Sequence, residues 1–288
     1  MCIEDVFGTL AFIFCCDNCD KRAHFQIETM SEDITVLQPV GNWLLRNIFP
    51  GAAVSASLFP LEAYKKWRQS LGQTLAIKPK PWRGMPIFAS NIVPTTAIQL
   101  LADHHIRPLV PPDSPAADLF ASLTCGMLGA TFAVIVENTV ARQQKMESGA
   151  IAAFKDMIRA GGIRRMLKSY PLIAARDGLF TICLFTVNPA LTRWAKHAFP
   201  DRSVSPFVTC APLAVTGALL THPFDTLATR MQLHHNPMTV RQAFTDVLKS
   251  SGSWRGLYLG ASYRIGLFYG FLTLIPKARE YAGERWTA

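Results

Sequence analysis

Apolar stretches without Asp, Glu, Lys or Arg recur along the chain, with polar connections between them. They cover residues 47–60, 84–102, 119–136, 178–191, 203–224 and 265–276. A helix needs roughly 17–25 mostly apolar residues to cross a bilayer. The second, third and fifth stretches reach that length unaided, whereas the other three reach it only if a charged residue lies inside the span. We therefore expect an all-α membrane protein with six membrane helices, rather than a large soluble helical protein.

Two of the polar connections are basic and have helical periodicity. Their core sequences are AAFKDMIRAGG at 152–162 and QAFTDVLKSSG at 242–252. In the first, Ala153, Phe154, Met157 and Ile158 recur at helical spacing. Both segments predict short amphipathic helices that end at glycine and lie on a membrane surface, with basic residues towards lipid head groups.

The composition agrees with this pattern. Half of the residues are apolar and 17% are charged, against about 25% in soluble domains, which excludes a disordered chain. The formal net charge is +9. Because the basic residues concentrate in the connections, membrane lipid accounts for this charge and no nucleic-acid partner is expected.

Three segments of the chain align without gaps. They are PLEAYKKWRQ at 60–69, IVENTVARQQ at 135–144 and PFDTLATRMQ at 223–232. The third place holds an acid each time: Glu62, Glu137 and Asp225. The tenth place holds a glutamine each time: Gln69, Gln144 and Gln232. Small residues precede each segment by nine and five places, which favours close helix approach: Gly51 and Ser55, Gly126 and Ala130, Ala214 and Ala218.

These features resemble the mitochondrial carrier family, whose hallmark is three copies of P-x-[DE]-x-x-[KR]-x-[KR]. The resemblance covers roughly residues 40–285. It implies six transmembrane helices in three pseudo-threefold repeats, with short matrix-side amphipathic helices. On this basis, residues 1–39 form an extension, followed by repeats at 40–110, 111–200 and 201–288. It also implies a monomer in the mitochondrial inner membrane that contacts anionic lipid such as cardiolipin.

In the family, the acid of one repeat pairs with the base at the sixth place of the next, and the glutamines brace these pairs on the matrix side. Here only Lys65 supplies such a base, so Lys65 with Asp225 is the one pair that transfers intact. Val140 and Ala228 occupy the other two places. Glu62 and Glu137 therefore lack their expected partners, and we expect the ion pairs to hold the predicted gate closed only weakly.

Other residues of this predicted gate follow from the same alignment. Arg142 and Arg230, two places beyond the missing bases, are candidates to reach back to the unpaired acids. Pro60 and Pro223 each remove a helical hydrogen bond and predict kinks. The kinks bring the odd-numbered helices towards a common axis, and the acids beyond them meet basic neighbours.

The resemblance also implies a central substrate site on the even-numbered helices. Its contact positions are Asn91, Ile92, Arg176, Asp177, Arg264 and Leu267. Arg176 is the predicted anchor, because a guanidinium binds carboxylate or phosphate well and an arginine inside a membrane segment points to function. The alternative is a structural ion pair between helices. The substrate expected is a small anionic or zwitterionic metabolite: an amino acid, a carboxylate or a nucleotide.

We expect no enzyme, cofactor or metal. The sequence contains no nucleophile motif, phosphate loop or dinucleotide fingerprint. A thiol enzyme built on Cys15, Cys16 and Cys19 is a weak alternative. The two main alternatives are a non-transporting scaffold of the outer membrane, favoured by Val140 and Ala228, and a pathogen-encoded carrier, suited to nucleotides, that is delivered to host mitochondria.

Overall fold

The computed structural model describes residues 49–71, 80–110, 114–159, 161–199, 206–234 and 238–286. These residues are almost entirely helical, with no β-strand among them. In chain order the helices are α1 (Phe49–Ser70), α2 (Met85–Ser90), α3 (Ile92–Ile106), α4 (Pro115–Met146), α5 (Ala150–Arg159), α6 (Gly162–Met166), α7 (Tyr170–Thr181), α8 (Asn188–Ala198), α9 (Pro206–Leu233), α10 (Val240–Ser251) and α11 (Ala261–Trp286).

Two pairs of consecutive helices are nearly continuous. Only Asn91 separates α2 from α3, and a π-helical stretch at Ile182–Val187 joins α7 to α8. Within the described ranges, the chain therefore forms six long helical stretches: α1, α2–α3, α4, α7–α8, α9 and α11. Each packs on the next in this order, and α11 packs on α1, so the six close into a ring.

Three of these stretches are long and apolar enough to cross a membrane: Met85–Asp103, Pro115–Met146 and Phe207–Leu233. They correspond to the three apolar runs that reach spanning length unaided. The structure is thus consistent with an all-α membrane protein. Six spans and the division into three repeats stay predictions, and residues 1–39, including Cys15, Cys16 and Cys19, lie outside the described residues.

The two amphipathic helices expected in the basic connections are present as α5 and α10. A capping box between Thr239 and Gln242 starts α10, and Gly252 ends it with a φ of 66°. On α5, Ala153 and Met157 are buried, whereas Phe154 and Ile158 are exposed. An exposed apolar pair on a basic helix fits contact with a membrane surface.

The aligned segments lie on α1, α4 and α9, which meet inside the ring. The small residues before them are buried: Gly51, Ser55, Gly126, Ala130, Ala214 and Ala218. Pro60 lies within α1 and Pro223 within α9, and both helices continue beyond them. The kinks expected at these prolines stay predictions.

Candidate functional site: a buried ion-pair network

A cluster of charged side chains joins α1, α4 and α9 to α7 and α11. Its members are Glu62, Lys65, Lys66, Glu137, Arg176, Asp177, Asp225 and Arg264. All are buried except Asp177, whose side chain is 17% exposed. The four acids and four bases balance in formal charge, which a buried cluster needs because an unpaired charge in a low-dielectric interior is costly. We call these eight residues the ion-pair network.

Asp225 on α9 lies at the centre of the network. Lys65 Nζ on α1 is 2.9 Å from its carboxylate, so the contact expected from the sequence is present. Arg176 Nη1 donates a hydrogen bond of 2.9 Å to Asp225, and Arg264 Nη1 lies 3.8 Å away. Gln69 Nε2 also donates to Asp225, at 2.8 Å. Asp225 is therefore in contact with cationic side chains from α1, α7 and α11.

Glu62 finds its partners on its own helix. Lys65 Nζ is 2.6 Å and Lys66 Nζ is 3.7 Å from the Glu62 carboxylate. Lys65 thus bridges Glu62 and Asp225. The alignment missed Lys66, although the adjacent lysines within the first repeated segment were a visible signal.

Arg176 is held by three carboxylates. Its guanidinium donates two hydrogen bonds to Glu137, one of them 2.9 Å long. Its Nε donates to Asp177 at 2.7 Å, and it also binds Asp225. The planar fork of arginine suits such paired contacts. The residue predicted as substrate anchor is therefore also a structural member of the network.

The expectation that Arg142 and Arg230 reach back to the unpaired acids is wrong. Arg142 lies 2.6 Å from Asp156 on α5, and Arg230 lies 3.1 Å from Asp246 on α10. Two residues turn an α-helix by roughly 200°, so these arginines leave the helix on the side opposite the missing bases. They attach the amphipathic helices to α4 and α9 instead.

The two places that lack bases are packed in apolar surroundings. Val140 and Ala228 are buried in separate hydrophobic clusters. The glutamines of the same segments bind no carboxylate within the described part of the chain: Gln144 Nε2 donates weakly to the Arg83 carbonyl at 3.4 Å, and Gln232 has no hydrogen-bond partner there. Of the three glutamines, only Gln69 contacts an ion pair.

The predicted central site is only partly assembled around the network. Arg176, Asp177 and Arg264 belong to it. Asn91 instead accepts a hydrogen bond from Thr95, and Ile92 packs against Gly51. Leu267 is buried. Among the described contacts, no hydrogen bond or ion pair joins Asn91, Ile92 or Leu267 to the network.

One curated protein that the chain resembles is the mouse mitochondrial glutathione transporter SLC25A39. The two are 24% identical over 208 residues, which cover 68% of this chain and 58% of the mouse protein. The match thus spans less than two thirds of this relative's length. No family model matches the chain. The relative is named as a transporter, which agrees with the expectation that the chain is not an enzyme, and the similarity supports membership of the mitochondrial carrier family.

Proposed function

We propose that the chain exchanges a small anionic or zwitterionic metabolite across the mitochondrial inner membrane by alternating access. The observation that carries this proposal is the buried, charge-balanced ion-pair network, in which Arg176 links α4 to α9 and Lys65 links α9 to α1. A buried ion pair is often no more stabilising than apolar residues of the same volume. A network of eight charges therefore fits a contact that forms and breaks better than a permanent core.

Arg176 couples the substrate to the gate in this mechanism. It contacts Glu137 and Asp225, and its own helix also carries the predicted substrate contact Asp177. A substrate carboxylate or phosphate competes with the two acids for the same guanidinium. Transfer of Arg176 to the substrate removes the cation that contacts Glu137 and weakens the link between α4 and α9. In this mechanism, substrate binding thus loosens the contacts that hold α4 to α9.

The substrate class follows from this anchor. Amino acids, carboxylates and nucleotides all present an anionic group that a guanidinium binds. Glutathione, named for the mouse relative, is a tripeptide with two carboxylates and an amino group, so it falls within this class. Anionic lipid such as cardiolipin contacts the exposed apolar and basic faces of α5 and α10, and the chain acts as a monomer.

Uptake into proteoliposomes tests this function. Purified protein is reconstituted and given labelled amino acids, glutathione, carboxylates, phosphate and nucleotides, with and without internal counter-substrate. We expect saturable uptake of one class that needs the counter-substrate. Arg176→Lys keeps the positive charge but loses the planar guanidinium. This variant should therefore fold, but it should transport poorly. Arg193→Lys is the matched control, because Arg193 is exposed on α8; its uptake should equal wild type.

A scaffold of the mitochondrial outer membrane is the second candidate. The apolar packing of Val140 and Ala228 favours it, because these places fix α4 and α9 in hydrophobic clusters rather than in breakable ion pairs. Absence of uptake across the panel by well-folded protein, with each compound also preloaded inside, would reject the carrier and leave the scaffold.

A further inference from the structure

A second group of polar side chains lies outside the ion-pair network, around a small cavity. The cavity is between α4, the α5–α6 segment and α9, and its empty volume is about 490 Å³ including the part open to solvent. The polar residues that line it include Asn138, Arg142, Arg165, Lys168 and Gln232. We call it the Gln232 cavity. None of its lining residues belongs to the network.

Gln232 is the unusual residue of this cavity. It is 92% buried, since only 8% of its surface is exposed. Neither its amide nitrogen nor its amide oxygen has a hydrogen-bond partner among the described residues. Burial of an unpaired amide is unfavourable, because the group loses its hydrogen bonds to water and gains none in the protein. The amide nitrogen of Asn138, which also lines the cavity, donates to the Val134 carbonyl and the Ser169 hydroxyl. Gln232 is thus short of both a donor and an acceptor.

The cavity also carries an excess of positive charge. Arg142, Arg165 and Lys168 line it, and no Asp or Glu is among the described residues of its lining; Asp156 binds Arg142 from outside the lining. Arg165 donates to the His234 carbonyl, a neutral acceptor. Burial lowers the pKa of Arg165 from its ordinary value, and the nearby Arg142 lowers it further, against the opposing effect of Asp156. An anion in the cavity relieves the repulsion.

We propose that the Gln232 cavity binds inorganic phosphate, which keeps at least one hydroxyl at neutral pH, whereas a phosphate monoester is then mostly a dianion without one. Its anionic oxygens accept hydrogen bonds from the Gln232 amide and from the Arg165 and Lys168 side chains, and its hydroxyl donates to the Gln232 amide oxygen. Carboxylates, sulfate and phospholipid diesters lack that hydroxyl at neutral pH, so they satisfy only half of the amide. The inference rests on the cavity and does not depend on the proposed transport function.

Thermal unfolding tests the site, because a ligand that binds the folded state raises Tm by mass action. Purified full-length protein in phosphatidylcholine nanodiscs is titrated with inorganic phosphate, and separately with sulfate, at constant ionic strength. We expect a saturable rise in Tm with phosphate and a smaller rise with sulfate. Gln232→Met and Lys168→Gln should each lose most of the phosphate response, measured against their own unliganded Tm.

Lys249→Gln is the matched control, since Lys249 is exposed on α10, away from the cavity; its phosphate response should be that of wild type. Three results would overturn the proposal: no rise in the Tm of wild type with phosphate, an equal rise with sulfate, or an unchanged rise with phosphate in both cavity variants. Nanodiscs that contain phosphatidylglycerol test whether the cavity instead binds the phosphodiester of an anionic lipid. Stabilisation by this lipid that both cavity variants lose, without any by phosphate, would assign the cavity to a lipid phosphodiester and reject hydrogen phosphate.

Discussion

Arg176 on α7 donates two hydrogen bonds to the carboxylate of Glu137 on α4. In the family pattern the partner of Glu137 is the base at the sixth place of the third segment, where this chain has Ala228. A cation from α7 thus takes the place of the missing one from α9. The same guanidinium also donates to Asp225, so one residue links the acids of α4 and α9.

The Arg176–Glu137 contact predicts non-additive effects on stability. Loss of one partner of a buried ion pair costs about 3–5 kcal/mol, because the other charge stays buried and unpaired. Arg176→Met and Glu137→Gln should each lower the free energy of unfolding strongly, and the double variant should lose less than their sum. Thermal or denaturant unfolding in detergent measures this coupling. Additive losses would show that the two side chains do not interact as the structure places them.

A base at the sixth place of the third segment should replace Arg176. In wild type, Ala228→Lys should destabilise the protein, because Ala228 is 1% exposed in a hydrophobic cluster and Glu137 is already paired. In the Arg176→Met background the same lysine should raise Tm, since it supplies the cation that Glu137 has lost. Ala228→Met in that background is the control of similar size without charge. Equal effects of Lys and Met would contradict an electrostatic rescue.

Gln69 and Gln232 should differ in their contribution to stability. Gln69 donates to the buried Asp225 and accepts a hydrogen bond from Thr229. Gln69→Met should therefore cost about 1.5–3 kcal/mol, as expected for a hydrogen bond to a charged group. Gln232→Met in phosphate-free buffer should be near neutral or stabilising, because this amide has no partner among the described residues. Equal losses in unfolding experiments would refute this distinction.

The sequence predicted those parts of the molecule that depend on periodicity along one helix. Apolar runs located the long helical stretches, and the glycines after the basic segments located the ends of α5 and α10. The Lys65–Asp225 contact was also predicted, because the resemblance to the mitochondrial carrier family pairs the acid of the third segment with the base at the sixth place of the first.

The rest of the network depends on side-chain reach and direction, which alignment does not contain. Arg176 was recognised as a charge inside an apolar stretch, but its position does not reveal whether a ligand or Glu137 binds it. Arg142 and Arg230 were assigned to the wrong partners because distance along the helix was considered and direction around it was not. Lys66 was missed because it falls outside the repeated places.

Close packing between α4 and α7 should limit substitution at Gly126. An added Cβ there would clash with Thr181 Oγ1 and would lie 2.6 Å from the Asp177 carbonyl oxygen. Backbone cannot yield as a flexible side chain does, so Gly126→Ala should push apart the two helices that present Glu137 and Arg176. Overpacking of this kind costs about 1–3 kcal/mol.

Gly149→Ala is the matched control for Gly126→Ala, because nothing lies within 4 Å of a Cβ added at Gly149. We expect a lower Tm and reduced uptake for Gly126→Ala, and values close to wild type for Gly149→Ala. Because the strain acts through the distance between Glu137 and Arg176, Gly126→Ala should also reduce the coupling free energy of the Arg176–Glu137 double-variant cycle. A Tm loss with unchanged coupling would mean that α4 and α7 separate elsewhere along their length.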